Sequence, residues 1–420
     1  MKIIARLFVY AVLSALLYGC TKTEKKDLML WYEEPASKWE EALPIGNGRI
    51  GAMIYGGIAE EHIQFNEETL WTGRPHDYSN NGASAYLGRI RELIWQGKQD
   101  EAEKLALEKF MSVPLRQEKY QPFGDLWLTF PGHENATAYR RQLDLSDAVS
   151  KTSYQTGGVT YTREYFASYP GNIVAMRLSC NRKKALTFDI SLTSLHEGFS
   201  AVPGEDGTIR LDVAVKDGAL RGTSIARVIL KGGDISVAGS KLHVEKADEA
   251  TVWLTAATNF VNPLDVSGDP SAICEKHLAA AEGQTYKQIK KAHADDYQKY
   301  FGRFSIDLGN SGTDDMPTDA RIAKVPEKMD NSLAALYVQY GRYLLLSSSR
   351  EGTYPANLQG IWNDRLNPSW DSKYTVNINT EMNYWPVEIL NIAECHDALF
   401  RMIGEVVPAG EKVARNHYNA

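Results

Sequence analysis

Near residue 265 the hydrophobic pattern changes its period, and that change limits what the chain can fold into. Before it, apolar and polar residues alternate in short runs at 159–166, 172–178, 186–192 and 251–257, bounded by Gly, Pro, Asn or Lys-rich turns. A period of two gives each run one dry face and one wet face, so many such runs predict an antiparallel β-sandwich over residues 28–265. Residues 83–111 depart from this, with charges and apolar residues at helical spacing that predict one or two inserted helices. After Pro270 the recurrence becomes three and four, at 272–281 and 286–300. We read 266–325 as a helical linker that includes the polar loop 310–317. The run 333–346 is apolar nearly all round, a helix to be buried by others, with Asn331 available as its cap. Residues 380–392 and 393–417 read as further helices, with Pro386 and Pro408 at first turns or bends. The fold class is multidomain β then α, and the part from residue 326 is expected to be an incomplete helical domain with an exposed apolar flank.

The opening residues stand apart. Lys2 and Arg6 precede an apolar run from Ile3 to Leu17, short for a membrane span and suited to an export signal. Gly19-Cys20 and the polar tether 21–27 resemble the lipobox of bacterial lipoproteins, with Cys20 as the lipid-bearing residue. The expected location is the periplasm or the outer-membrane surface, with the membrane reached by that anchor only. Cys180, Cys274 and Cys395 are widely spaced and odd in number, so no disulfide framework follows and free thiols are expected.

Lys and Arg number 46 against 53 Asp and Glu, a net charge of −7, which excludes a general nucleic-acid binder. The 22 Tyr and 9 Trp suit a surface that stacks on sugar rings. Gly46-Asn-Gly-Arg-Ile-Gly51 has the GxGxxG spacing, yet strand-like residues and turn glycines flank it, so a tight hairpin is expected in place of a nucleotide loop. The nine histidines form no HExxH motif, no metal site is expected, and GxSxG is absent. The sequon at Asn135 reads as a surface loop.

Residues 354–386 concentrate six Asn, three Trp and three Tyr with Asp364, Asp371 and Glu381. Amides are costly to bury without partners, and sugar hydroxyls are suitable partners. The alternative is a polar network pinning loops onto the helical domain.

Trp39 with Glu-Ala-Leu-Pro-Ile-Gly-Asn-Gly-Arg-Ile-Gly-Ala at 41–52, Ile-Gln-Phe-Asn-Glu-Glu-Thr-Leu-Trp-Thr-Gly-Arg-Pro at 63–75, Tyr-Gln-Pro-Phe-Gly-Asp at 120–125 and the Asn-rich region together resemble the inverting α-L-fucosidases of glycoside hydrolase family ninety-five. The resemblance implies a β-sandwich, a helical linker and an (α/α)6 catalytic barrel, here truncated, followed in the family by a C-terminal β domain. It implies one-step hydrolysis without a cofactor. The family's water-positioning asparagines fall on Asn377 and Asn379, which at i and i+2 in an extended segment would face one side. The general acid Glu and the polarising carboxylate, placed roughly 6.5–9.5 Å apart for inversion, fall on segments beyond the residues present. Trp370, Asn383 and Trp385 would shape the sugar site, with Asp371 and Glu381 in binding or loop support. Thr375 stands where many family members have His, and its smaller hydroxyl-bearing side chain would admit the C6 hydroxyl of L-galactose. Asn66, Glu67 and Trp71 would either approach the cleft or close a sheet edge. The implied partners are fucosylated or L-galactosylated oligosaccharides. A rival of another class is a carbohydrate-binding surface lipoprotein without turnover.

Overall fold

A computed structural model describes residues 28–420, so Cys20 and the export segment lie outside the described residues. The alternating runs form two antiparallel sheets. The nine-stranded sheet has the order β1 (Met29–Tyr32), β6 (Thr137–Asp144), β7 (Val149–Thr156), β8 (Val159–Ser168), β9 (Ile173–Cys180), β16 (Glu249–Thr258), β13 (Arg221–Lys231), β12 (Thr208–Ala214), β11 (Ser200–Pro203). The seven-stranded sheet runs β14 (Asp234–Ala238), β15 (Lys241–Ala247), β10 (Leu186–Thr193), β5 (Gly124–Thr129), β4 (Glu60–Glu67), β3 (Ile50–Ile54), β2 (Leu43–Gly46). Period-two burial along β5 and β10 turns Leu126, Leu128, Ile190 and Leu192 inward, where they share one core with Tyr165, Met176 and Leu254 of the facing sheet.

That core also holds a charge. Glu61 is fully buried and accepts from Gly56 N at 2.8 Å, Tyr165 OH at 2.8 Å and Arg163 Nη1 at 3.4 Å. Arg163 lies 3.9 Å over the Phe130 ring, so its planar cation is both paired and stacked.

The stretch 83–111 forms two helices, α1 (Ser84–Trp95) and α2 (Gln99–Lys109), packed around Ile90, Leu93 and Ala102. In the linker, α3 (Pro270–Glu282) and α4 (Tyr286–Phe301) lie on the outer face of the nine-stranded sheet. Cys274, Leu278 and Ile289 meet Phe166, Ala175 and Trp253 there. Strands β9 and β16 are therefore buried on both faces, which is why apolar residues crowd along them. The three thiols are free, Cys274 and Cys395 buried and Cys180 half-buried.

After the short α5 (Thr318–Lys324) comes α6 (Asn331–Ser348). Its cap is Asp330, whose carboxylate accepts from Leu333 N at 2.9 Å; this corrects the expectation for Asn331, which begins the helix and donates its amide to Leu308 O at 3.1 Å. Arg321 holds Asp330 at 3.0 Å and so fixes the capping residue. Residues 380–392 are not one helix: α7 covers only Asn379–Tyr384, and turns follow to 392. Pro408 sits inside the 23-residue α8 (His396–Tyr418) instead of at a first turn or bend. Tyr337 and Phe400 on these helices, and Ile389 in the turns between them, leave apolar surface open. Among the described residues, no helix is long and apolar enough to cross a membrane.

Candidate active site

Gly46 and Gly51 pair across the β2–β3 hairpin, and Asn47 Oδ1 closes the turn by accepting from Ile50 N at 2.8 Å. Gly48 has φ +86, a conformation glycine adopts at no steric cost, and its N–H donates to Ser347 O at the end of α6. A Cβ at Gly46 would fall on the Ser347 carbonyl oxygen, and one at Gly51 would lie 2.8 Å from Ile361 Cγ1. The GxGxxG spacing thus makes a hairpin, as expected, and its glycines let the helical region approach the sheet.

The segment between α6 and α7 crosses this corner of the sandwich, where Asn363 is fully buried. Its N–H donates to Asn66 Oδ1 at 3.1 Å, its carbonyl accepts from Asn66 Nδ2 at 2.8 Å and Gln64 Nε2 at 2.9 Å, and its amide donates to Tyr120 O at 3.0 Å. Trp362 Nε1 donates to Ile45 O at 2.9 Å and Gln121 Nε2 to Leu366 O at 3.0 Å. A pinning network therefore exists, the alternative raised from the sequence: it fastens the loop to the β-sandwich here, and to the helix at 379–384 through Ala356 N on Tyr384 OH at 3.0 Å and Asn383 Nδ2 on Asn357 O at 3.1 Å. Asn66 and Glu67 are sealed from solvent. Glu67 accepts from Thr69 N at 2.9 Å and faces Arg49 at 3.5 Å, so Asn66 supports the loop, Glu67 braces its own turn, and neither exposes anything to a sugar.

Trp71 props the other end. Its indole N–H donates to Glu68 O at 2.9 Å, and its ring lies 5.2 Å from Tyr120 and 5.4 Å from Tyr374. Thr375 follows directly. Its hydroxyl is buried with no protein partner, and its carbonyl accepts from Thr380 N at 3.1 Å. Residues 376–378 form a turn and Asn379 opens α7. The extended geometry expected for Asn377 and Asn379 is absent, because that backbone bond folds the chain back onto the helix start.

Trp370, Asp371 and Ser372 have φ of 53°, 60° and 47°, three consecutive left-handed residues without a glycine. Each costs about 1–2 kcal/mol, so the turn persists only because its surroundings impose it. Tyr120 N donates to Asp371 O at 3.0 Å, Ser372 Oγ to Asn357 Oδ1 at 3.1 Å, and Lys373 Nζ lies 3.2 Å from Asp371 Oδ2. The outcome is a Trp370 indole left 76% exposed on a braced turn. Trp385 and Glu381 are also exposed, and Asn383 donates to Asn357 O at 3.1 Å.

Of the six asparagines at 354–386, the side chains of Asn357, Asn363, Asn367 and Asn383 are engaged by protein. Those of Asn377 and Asn379 have no protein partner among the described residues, and Asn377 is exposed.

Sequence reasoning missed Glu68, the second acid of its block. It is buried and accepts from Tyr354 N at 2.7 Å, so it, and not Glu67, touches the helical region. Burial, reinforced by the neighbouring Glu67 carboxylate, pushes Glu68 up to about 8. Burial likewise holds Tyr374 well above the usual phenol range. Among the described residues, no group of three His, Cys, Asp or Glu is placed to hold a metal.

The fold is a two-sheet antiparallel β-sandwich followed by helices, with an amide-rich, tryptophan-flanked loop at their joint. Residues 30–263 match "Glycosyl hydrolase family 65, N-terminal domain" and residues 285–420 match "Glycosyl hydrolase family 95 catalytic domain". The chain belongs to glycoside hydrolase family 95, with that N-terminal domain ahead of the catalytic one. It is 37% identical to "Alpha-L-fucosidase 2" of Arabidopsis thaliana over 94% of its own length and 51% of that protein's. Identity to "Probable alpha-fucosidase A" is 29% for Aspergillus niger (93% and 52% covered) and 27% for Aspergillus oryzae (93% and 57%). The chain thus spans about half the length of the curated relatives it matches.

Proposed function

We propose that this chain supplies the sandwich and the first barrel helices of an exported hydrolase that removes terminal α-L-fucose from glycans with inversion. The observation that carries this reading is the pair of unspent amides, Asn377 and Asn379, in a segment whose other asparagines are consumed by protein. Two amide oxygens can accept both protons of one water and aim its lone pair at the anomeric carbon. An amide cannot deprotonate that water, so a carboxylate must polarise the pair while a second, protonated carboxyl serves the leaving oxygen from the opposite face. The exposed Trp370 and Trp385 offer ring faces to the sugar. Thr375, whose hydroxyl is buried and unpartnered, would turn that hydroxyl toward the cleft to meet a C6 hydroxyl, which would extend the substrate class to α-L-galactosides. Cys20 would tether the protein to a membrane.

The test uses the product of the complete reading frame. NMR of a fresh digest of an α-L-fucoside should show β-L-fucose first, and Asn377→Ala or Asn379→Ala should cut kcat by about 100-fold or more without unfolding the protein. First-formed α-L-fucose, or undiminished turnover in both variants, defeats the proposal. Sugar binding without turnover would favour the binding-protein reading.

A further inference from the structure

The candidate active site has a neighbour on the sandwich side: a cleft of about 690 Å³ lined by Thr72, Lys119, Gln121, His196, the 214–217 turn and Asn367. That volume lies within the range of small-molecule sites. Asn367 is three residues from Trp370, a span of about 10 Å of chain, and Tyr120 N ties the segment carrying Lys119 to Asp371 O at 3.0 Å. The cleft and the exposed indole are therefore parts of one braced body.

We propose that this cleft receives the neutral oligosaccharide on the leaving-group side of the scissile bond, so that the sandwich reads the glycan beyond its terminal sugar. The inference rests on the hydrolase reading. The cleft is lined by Lys119 and Lys216 against Glu118, Glu197 and Asp217, so positive charge is outnumbered; Lys119 Nζ also lies on Asn367 Oδ1 at 2.6 Å, Glu118 accepts from the Thr72 hydroxyl at 2.6 Å, and Lys216 pairs with Glu197 at 3.7 Å. An anionic ligand would find no uncompensated positive field, whereas hydroxyls would find alternating donors and acceptors. Buried His196 has its Nε2 spent on Pro122 O at 2.9 Å, and Leu195 is 53% exposed, an apolar patch suited to the C–H face of a sugar ring.

Ala214 lines the cleft and is exposed at the end of β12, so Ala214→Trp fills the space without disturbing the core. With the complete protein, kcat/KM for fucosyl-lactose should fall about tenfold, mainly through KM, while p-nitrophenyl α-L-fucoside, which lacks the extended glycan, should change less than about twofold. Leu195→Ala, a milder change, should raise KM for fucosyl-lactose alone. Equal effects on both substrates, or none on either, overturn the proposal. Titration of fucosyl-lactose into wild type and Ala214→Trp separates the two readings. If neither substrate is hydrolysed yet Ala214→Trp abolishes binding, the cleft stands and the hydrolase reading falls. If wild type fails to bind, or both proteins bind alike, the cleft proposal falls.

Discussion

Asn66 offers a quantitative test of how the sandwich holds the loop around Asn363. In Asn66→Ala the Asn363 N–H loses its acceptor at 3.1 Å in a site with no solvent, and a buried donor left unsatisfied costs about 1–3 kcal/mol. The lost donation to Asn363 O, at 2.8 Å, adds about 1 kcal/mol, because Gln64 Nε2 still serves that carbonyl at 2.9 Å. The sum is about 2–4 kcal/mol. Asn66→Asp should be worse near neutrality, since it would set a buried carboxylate oxygen against the Asn363 carbonyl. Protonation lets the introduced carboxyl donate to that carbonyl, so its folded pKa is raised and the deficit should shrink as pH falls. The assay is urea unfolding followed by tryptophan emission, which includes buried Trp362 beside the joint. A loss below about 0.5 kcal/mol for Asn66→Ala, the scatter of ordinary surface changes, would refute the argument that this amide pair fastens the loop.

Other changes probe separate features. Glu68 is raised to about 8 from 4.5, so its contribution to stability is full below about 4.5 and is lost as pH rises toward 8. Glu68→Gln keeps an acceptor for Tyr354 N and should flatten that decline by on the order of 1 kcal/mol per pH unit between 5 and 8; parallel stability curves for the two proteins would contradict this. Glu61→Ala strands the fully buried Arg163 and should cost about 3–5 kcal/mol in thermal unfolding, whereas Glu61→Ala with Arg163→Met should recover part of it. Gly46→Ala should loosen the contact with α6 at a cost of about 1–3 kcal/mol, measured by chemical denaturation, and an unchanged midpoint would show that the hairpin can yield.

Much of the fold was legible because strands with one wet face declare themselves by alternation, as along 186–192 and 159–166. The family was legible from long motifs. What failed was local competition between equivalent residues. Asp330 and Asn331 are both good caps, and the choice between them was made by Arg321, nine residues upstream of Asp330. Glu67 and Glu68 are adjacent acids, and only the three-dimensional register turns the second toward Tyr354. The turn at 376–378 contains no Gly or Pro to announce it, and in the left-handed run at 370–372 Trp370 and Ser372, on either side of the more tolerant Asp371, ordinarily avoid that conformation. Nor can a sequence say which of six amides the protein consumes. That depends on Gln64, Asn66 and Tyr120, which are remote in sequence from the loop they engage.

The joint between Asn66 and Asn363 also has a history within each round of synthesis. The partners are 297 residues apart, so at about 5–20 residues per second the sandwich waits about 15–60 s for the loop that completes it. Through that interval the corner presents the amides of Gln64 and Asn66, which water satisfies. Apolar replacements could bind the finished loop equally well, yet they would leave a sticky edge on a nascent domain. A polar joint lets the earlier-made sandwich stay hydrated at this corner until the loop, 297 residues on, is there to complete it.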